Sequence, residues 1–231
     1  MNEIIKKRKS IRKYEMAKLD DVVLGKVQAK IGQLVPLFSD IRYSVEFAEK
    51  TKGLFNIKCP HYLIFGSEEK EGYLENIGFI GQQLDSFLSA NGLGSVWLGV
   101  AKPTEKEDSA LPYVIAMGFG KPAEVLHRSI EQFKRKPLAE ISEGEDIRLE
   151  AARLAPSGMN AQNWFFVADE GKIHCYRKKP NPLMGFMLNK LGEIDMGIAL
   201  CHINQASKNF AYTKKADVAE RKGYIYMGTV I

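Results

Sequence analysis

A chain of 231 residues, 45% hydrophobic and 26% charged, can fill one sizeable core or two closely packed halves, which excludes a disordered polymer. Its formal charge of +5 is modest, and its basic residues are dispersed without interleaved aromatics, which suits a small anionic ligand and gives no indication of nucleic acid. Cys59, Cys175 and Cys201 lie far apart, as a reducing cytoplasm favours; the scattered histidines give no metal signature, and neither a signal peptide nor a membrane span is expected.

The N-terminal run Arg8-Lys9-Ser10-Ile11-Arg12-Lys13-Tyr14 is basic. Its two arginines share a face if the segment is helical, and with Ser10 they suit a phosphate or another anion. The plain alternative is a solvated basic end. Leu19, Val22, Val23, Val27, Ile31 and Leu34 recur at helical spacing and predict a helix over 19–34. His61 to Phe65 predicts a buried strand ending at Gly66. Ile77, Ile80, Leu84, Phe87 and Leu88 form the apolar side of a helix over 72–91, with Asn91-Gly92 as its stop. Ser95 to Leu98 is short and extended, and Pro112 to Met117 is another strand, closed by Gly118. Gly118-Phe119-Gly120-Lys121-Pro122-Ala123 has the form of a dinucleotide fingerprint, but no parallel βαβ unit surrounds it, so it is set aside.

Lys134-Arg135-Lys136-Pro137 is a second basic cluster. Ser142 and Glu145 read as a capping box for a helix that carries Ile147, Ala151 and Leu154 and ends before Pro156. The loop Ala155-Pro156-Ser157-Gly158-Met159-Asn160-Ala161-Gln162-Asn163-Trp164 follows. Its Ser-Gly turn offers N–H groups and a hydroxyl, and Asn160 and Gln162 add amides that both donate and accept. Such a loop can cradle a flat polar heterocycle; the same residues also make ordinary helix-to-strand turns. Trp164 to Val167 is a strand, and Gly171 turns the chain into Ile173 to Tyr176. A helix is expected over 183–207 and a last strand over 224–230. Helices and strands do not alternate regularly, so an α+β fold is expected and a doubly wound sheet is not.

The chain also repeats itself. An offset of 119 pairs Arg8–Tyr14 with His127–Phe133, and Asn76-Ile77-Gly78-Phe79-Ile80 with Asp195-Met196-Gly197-Ile198-Ala199. An offset of 120 pairs Leu34-Val35-Pro36 with Leu154-Ala155-Pro156, and an offset of 110 pairs Ile115–Gly118 with Ile225–Gly228. Four matches in one order argue for duplication and fusion, with halves 1–126 and 127–231 forming one intertwined unit. The copies differ at telling positions: Leu37 stands where Ser157 does, Asp40 where Asn160 does, and Glu131 where Arg12 does.

Arg8–Tyr14, Gly92–Gly99, Met117–Glu124, Lys134–Leu138 and Ala155–Trp164 together resemble the signatures of the nitroreductase family. The resemblance implies an α+β fold of two pseudo-symmetric halves, with a mixed or antiparallel sheet core packed by helices. It implies FMN as cofactor, NADH or NADPH as donor, and a small oxidised acceptor such as a nitroaromatic or a quinone. Members are usually intertwined homodimers. The order of signatures here resembles a subgroup in which one chain mimics the dimer, so a monomer acting as a pseudo-dimer is expected, with further association left open. By the same resemblance, Arg8, Lys9 and Ser10 would hold the phosphate, helped by Lys134 or Lys136. Arg12 would lie near the pyrimidine edge of the isoalloxazine, where a cation stabilises charge on the reduced ring. Trp97, Leu98 and Gly99 would bind the cofactor, with backbone from Leu98 to Val100 near N5, while Pro156, Ser157, Gly158, Asn160 and Gln162 would approach from the other half. The partner implied is a small molecule, with no metal, nucleic acid or membrane. No catalytic side chain is implied, because the flavin carries the chemistry. A non-catalytic flavin- or ligand-binding protein on the same fold is the alternative.

Overall fold

The computed structural model describes residues 2–53, 57–104, 111–180 and 185–231, and of 185–189 the backbone alone. Residues 8–14 are extended, not helical: Arg8 bridges His127, Ser10 bridges Ser95 and Tyr14 bridges Pro122. Ile11 is fully buried, and its N–H donates to the Ser95 carbonyl at 2.9 Å.

Helix α1 (Asp21–Ile31) begins where the Asp20 carboxylate accepts the Val23 N–H. It is shorter than the 19–34 pattern because the Leu19 N–H is held outside it by His61 Nε2 at 2.9 Å. Val27 faces the core and Val22 faces solvent. There follow β1 (Tyr43–Ala48), β2 (Thr51–Lys52), β3 (His61–Ser67), α2 (Tyr73–Ala90), β4 (Gly94–Leu98), β5 (Lys102–Pro103) and β6 (Tyr113–Gly120). An antiparallel sheet runs β1-β3-β6-β4, and β2 pairs with β5. Hydrophobic periodicity does not announce β1, an edge strand whose residues are mostly half-buried.

The later part of the chain comprises α3 (Leu138–Ile141), β7 (Ser142–Glu143), α4 (Arg148–Leu154), β8 (Trp164–Asp169), β9 (Lys172–Lys178), α5 (Gly185–Ala206), β10 (Tyr212–Thr213) and β11 (Tyr224–Val230). Its sheet runs β10-β11-β9-β8-β7, antiparallel except between β7 and β8. The expected capping box at Ser142 does not form. Ser142 follows α3, and its hydroxyl donates back to the Leu138 carbonyl at 2.9 Å. Asp146 instead accepts the Arg148 N–H at the start of α4, and Ile147 is exposed. Of the helix expected over 183–207, residues 183 and 184 lie outside the described residues.

One topology occurs twice. The order β1-β3-β6-β4 recurs as β8-β9-β11-β10, with α2 between β3 and β4 and α5 between β9 and β10. The two long helices cross with backbones in contact. A Cβ on Gly78 would lie 2.1 Å from the Ile194 carbonyl oxygen, and one on Gly197 would lie 1.9 Å from that of Glu75. Residues 75 and 194 are related by the same offset of 119 as residues 78 and 197, so the crossing is reciprocal. One apolar cluster runs through both sheets and both helices, a second gathers Ile11, Tyr62, Ile64 and Leu98, and Ile5 near the N-terminus packs with Phe133, Ala151 and Leu154. The fingerprint-like glycines serve packing: Gly118 and Gly120 end β6, where Cβ atoms would strike Cys59 Sγ and Pro60. No helix of the described residues is long and apolar enough to cross a membrane.

Candidate functional site

Two voids meet where the two sheets and their helices come together. A cavity of about 430 Å³ is walled by Val96, Trp97, Gly99, Val100 and Ile115, by Leu191, Ile194, Asp195 and Ile198 of α5, and by Pro156 to Met159. A cleft of about 560 Å³ lies against Arg8, Lys9, Glu124, Arg128, Gln132, Lys134, Arg135 and Asn160. The two share Ser10, Arg12, Pro156, Ser157 and Met159, so an apolar slot opens into a cationic cleft.

The extended N-terminal segment lays the first wall. Glu124 fixes it, accepting the Arg12 N–H at 2.8 Å, the Lys13 N–H at 3.2 Å and the Lys9 ammonium at 3.0 Å. Arg8 is 1% exposed. Its Nε lies 2.9 Å from Asp85, which also accepts the Ser95 hydroxyl at 2.6 Å and the Gln82 amide at 2.7 Å. Gln82 lies 3.1 Å from His202 Nε2, and His202 Nδ1 lies 3.0 Å from the Ala151 carbonyl. Burial, then the Arg8 charge, drives His202 down to about 3, so the ring is neutral. Its Nδ1–H therefore donates to Ala151 and its Nε2 accepts from Gln82. This buried chain ties the arginine on the cleft wall to α4 and α5.

The second wall is the loop after α4. Met159, Asn160 and Gln162 all have positive φ (51°, 57° and 49°), a conformation unfavourable for residues other than glycine. Side chains hold it there. Asn160 donates to the Lys134 carbonyl at 2.7 Å and accepts from Arg135. Gln162 accepts the Lys136 N–H at 2.8 Å and donates to the Asn160 carbonyl at 3.0 Å. The Ser157 hydroxyl oxygen accepts the Gln162 N–H at 3.0 Å, which leaves its own hydrogen free to donate.

The residues expected at a ligand divide accordingly. Arg8, Lys9, Ser10, Arg12, Lys134 and Asn160 line the cleft; Trp97, Gly99, Pro156, Ser157 and Gly158 line the cavity. Leu98, Lys136 and Gln162 line neither. Leu98 is buried among apolar side chains. The Lys136 ammonium donates to the Ala161 and Gln162 carbonyls at 3.1 and 3.3 Å, and Gln162 is spent on the loop. The resemblance points to Lys9, Lys134 and Lys136 and passes over Arg128 and Arg135. Arg128 lies over the Phe133 ring at 3.7 Å and donates through Nε to the Arg8 carbonyl at 3.1 Å. Burial, then Arg8 and Arg12, pulls Arg128 down to about 10; burial, then Arg128, Arg8 and Arg153, pulls Arg135 down to about 9. Guanidiniums stay charged at such values; burial sets these shifts first, and crowding by like charge adds to them. Among the described residues, the buried donors Arg8 Nη1, Arg135 Nε and Trp97 Nε1 have no partner, and each sits on a residue lining one of the voids. A flat ring carrying a phosphate on a flexible arm fits this donor set.

The pseudo-equivalent loop is built otherwise. An offset of 120 places Phe38 at the position of Gly158. The Phe38 ring packs 6.0 Å from the Tyr212 ring, and a Cβ on Gly72 would meet it at 2.6 Å. The Tyr212 hydroxyl donates to Glu75 at 3.0 Å, and burial raises the Glu75 carboxyl to about 7. Folded Glu75 therefore holds its proton to higher pH than the unfolded chain does, and stability falls as pH rises from about 4.5 to about 7. Glu75→Gln should gain about 3 kcal/mol relative to the native chain over that interval and nothing beyond it. Urea midpoints at several pH values would measure this, and parallel profiles would remove Glu75 as the cause.

Fold and site define a nitroreductase-like α+β protein with an apolar slot joined to a cationic cleft. The family model described as "Putative TM nitroreductase" matches residues 1–207, and the chain belongs to that nitroreductase family. Among solved structures, a "putative nitroreductase" from Thermotoga maritima is 21% identical, covers 100% of this chain and 92% of its own, and superposes with a TM-score of 0.65. A nitroreductase family protein from Clostridium difficile is 19% identical over 64% of this chain and 100% of its own, with a TM-score of 0.51. An "FMN-dependent nitroreductase" from Clostridium difficile R20291 is 16% identical over 57% of this chain and 93% of its own, with a TM-score of 0.44. No curated protein matches the sequence.

Proposed function

We propose that the chain holds one FMN across its two halves, 1–126 and 127–231, and passes electrons from NADH or NADPH to a small oxidised acceptor of the nitroaromatic or quinone type. The observation that carries this reading is the continuity of the apolar cavity with the cationic cleft through Ser10, Arg12, Pro156, Ser157 and Met159. FMN, when bound, supplies the two-electron chemistry. Arg8, Lys9, Arg128, Lys134 and Arg135 would neutralise its phosphate and the Ser10 hydroxyl would donate to it, with Asp85 holding Arg8 in place. Arg12, on the wall shared by cleft and cavity, would oppose negative charge on the reduced ring. Trp97, Gly99, Pro156, Ser157 and Gly158 would exclude water and orient the ring. No side chain is assigned as a catalytic acid or base for this reading.

The halves would descend from a duplicated ancestor whose two copies assembled as a dimer. The repeated strand order and the reciprocal Gly78–Gly197 crossing support that descent. Fusion makes the association intramolecular, so a monomer suffices to build the site. Rings of Phe38 and Tyr212 fill the pseudo-equivalent side, which favours one flavin per chain. The purified protein should therefore be a yellow monomer releasing one FMN per chain, measured by mass spectrometry, flavin quantitation and light scattering. Anaerobic NADH or NADPH should bleach it, and a quinone or nitroaromatic should restore the colour. A second flavin per chain would refute the asymmetry. A bound flavin that neither nucleotide reduces would leave a ligand-binding protein on this fold.

The two loops should also respond differently to substitution. Ser157 lines both voids, whereas Leu37 packs against the core. Ser157→Leu removes a hydroxyl that staples the loop and can donate to a ligand; FMN affinity should fall by about 5- to 150-fold, equivalent to about 1–3 kcal/mol. Leu37→Ser should destabilise the fold and leave the FMN dissociation constant nearly unchanged. Equal losses of affinity would overturn the assignment of the site to the second loop.

A further inference from the structure

Asp195 and Asn76 occupy equivalent positions at an offset of 119, and both tether a loop. Asn76 Oδ1 accepts the Leu37 and Phe38 N–H groups at 2.7 and 3.1 Å. The Asp195 oxygens accept the Gly158 N–H at 2.9 and 3.1 Å. Tethering requires only an acceptor, which an amide supplies. The carboxyl adds a titratable proton, and it adds it on the side of the cavity: Asp195 is 7% exposed and lines that wall.

Among the described residues, no cation is paired with Asp195. The Ser157 to Ala161 loop carries no charged side chain. Arg12 is the charged residue on the other wall of the cavity. On α2, Glu75 is bonded to Tyr212, and on α5 itself Glu193 is paired with Arg177 at 3.3 Å. Lys190, the other nearby charge on α5, is itself pulled down by burial.

We propose that the protonated Asp195 carboxyl donates a hydrogen bond to an acceptor atom of the ring bound in the cavity, a positioning role that rests on the flavin reading above. Of the two oxygens that share the Gly158 N–H, one would keep it while the other carries the hydrogen. Burial raises the group to about 7, and the Gly158 N–H only partly offsets it. A ring acceptor favours the protonated form further, so binding and protonation are linked. Above the carboxyl's pKa, affinity falls by up to about tenfold per pH unit.

Riboflavin is the suitable probe, because the FMN phosphate titrates near pH 6 and would overlay the signal. Fluorescence quenching from about pH 6 to about pH 9 would give its dissociation constant for the native chain and for Asp195→Asn. The native value should rise about tenfold over that range, and the Asp195→Asn profile should be flat, since the amide keeps the tether as Asn76 does. Independently, the carboxyl carbon resonance of Asp195 in the ligand-free native protein should titrate near neutrality. A flat native profile, an equal slope in Asp195→Asn, or a carboxyl already ionised at about pH 5 would overturn the proposal while leaving flavin binding intact. Failure to bind riboflavin or FMN at every pH would overturn the flavin reading and the ring contact with it.

Discussion

Gly197→Val should prevent the chain from folding, and Gly197→Ala should lower its stability by about 2–3 kcal/mol. Gly197 lies within α5, where its Cβ would sit 1.9 Å from the Glu75 carbonyl oxygen and 2.9 Å from the Phe79 nitrogen. Both are backbone atoms of α2, so no side chain can rotate away and the helices themselves must separate. Separation would loosen the packing of Ile77, Ile80 and Leu84 against Ile194, Ile198 and Leu200 in the shared core. A domain's whole stability is about 5–15 kcal/mol, so a side chain larger than methyl would consume much of it. Gly25 provides the control. It lies in α1 with nothing within 4 Å of its would-be Cβ. Gly25→Ala should stabilise by about 0.5–1 kcal/mol through helix propensity alone. Urea denaturation of both variants checks the opposite signs. If Gly197→Ala were as benign as Gly25→Ala, the helices would not cross in contact at this point. The consequence also reaches the cavity, because Ile194, Asp195 and Ile198 of α5 form one of its walls.

Legibility in the sequence followed the kind of interaction. The long helix over 72–91 was readable because Ile77, Ile80, Leu84 and Leu88 recur at helical spacing and all pack into the core. β1 was not, because an edge strand carries a weaker apolar pattern. The Ser142–Glu145 spacing misled because side-chain capping depends on where the chain turns, and α3 turns it earlier. In the site, the extended course of Arg8 to Tyr14 was hidden. It depends on pairing with Ser95 and Pro122, residues remote in sequence. Asp195 was visible as the partner of Asn76 in the repeat, and the amide-to-acid change was the signal available to find it. Neither its burial nor its tie to Gly158 could be read without the fold.

The cation cluster offers the most discriminating test of the ligand. Arg128→Gln should weaken FMN binding by about 10- to 100-fold and leave riboflavin binding unchanged. A charge-assisted hydrogen bond contributes about 1.5–3 kcal/mol, and only FMN carries the phosphate that would receive it. Arg128 is suited to this role because Phe133 and the Arg8 carbonyl fix its guanidinium at the cleft while Arg8, Arg12 and Arg135 crowd it with like charge. Lys136 makes the contrast. Its ammonium is bonded to the Ala161 and Gln162 carbonyls, and Lys136 does not line the cleft. Lys136→Met should therefore disturb the loop and weaken FMN and riboflavin alike. The two variants separate a residue that meets the phosphate from one that holds the wall. Titrations with both flavins at low and high salt would read the difference, since screening diminishes only the phosphate contribution. A phosphate-selective loss in Lys136→Met with none in Arg128→Gln would move the anion site from the arginines to the lysine.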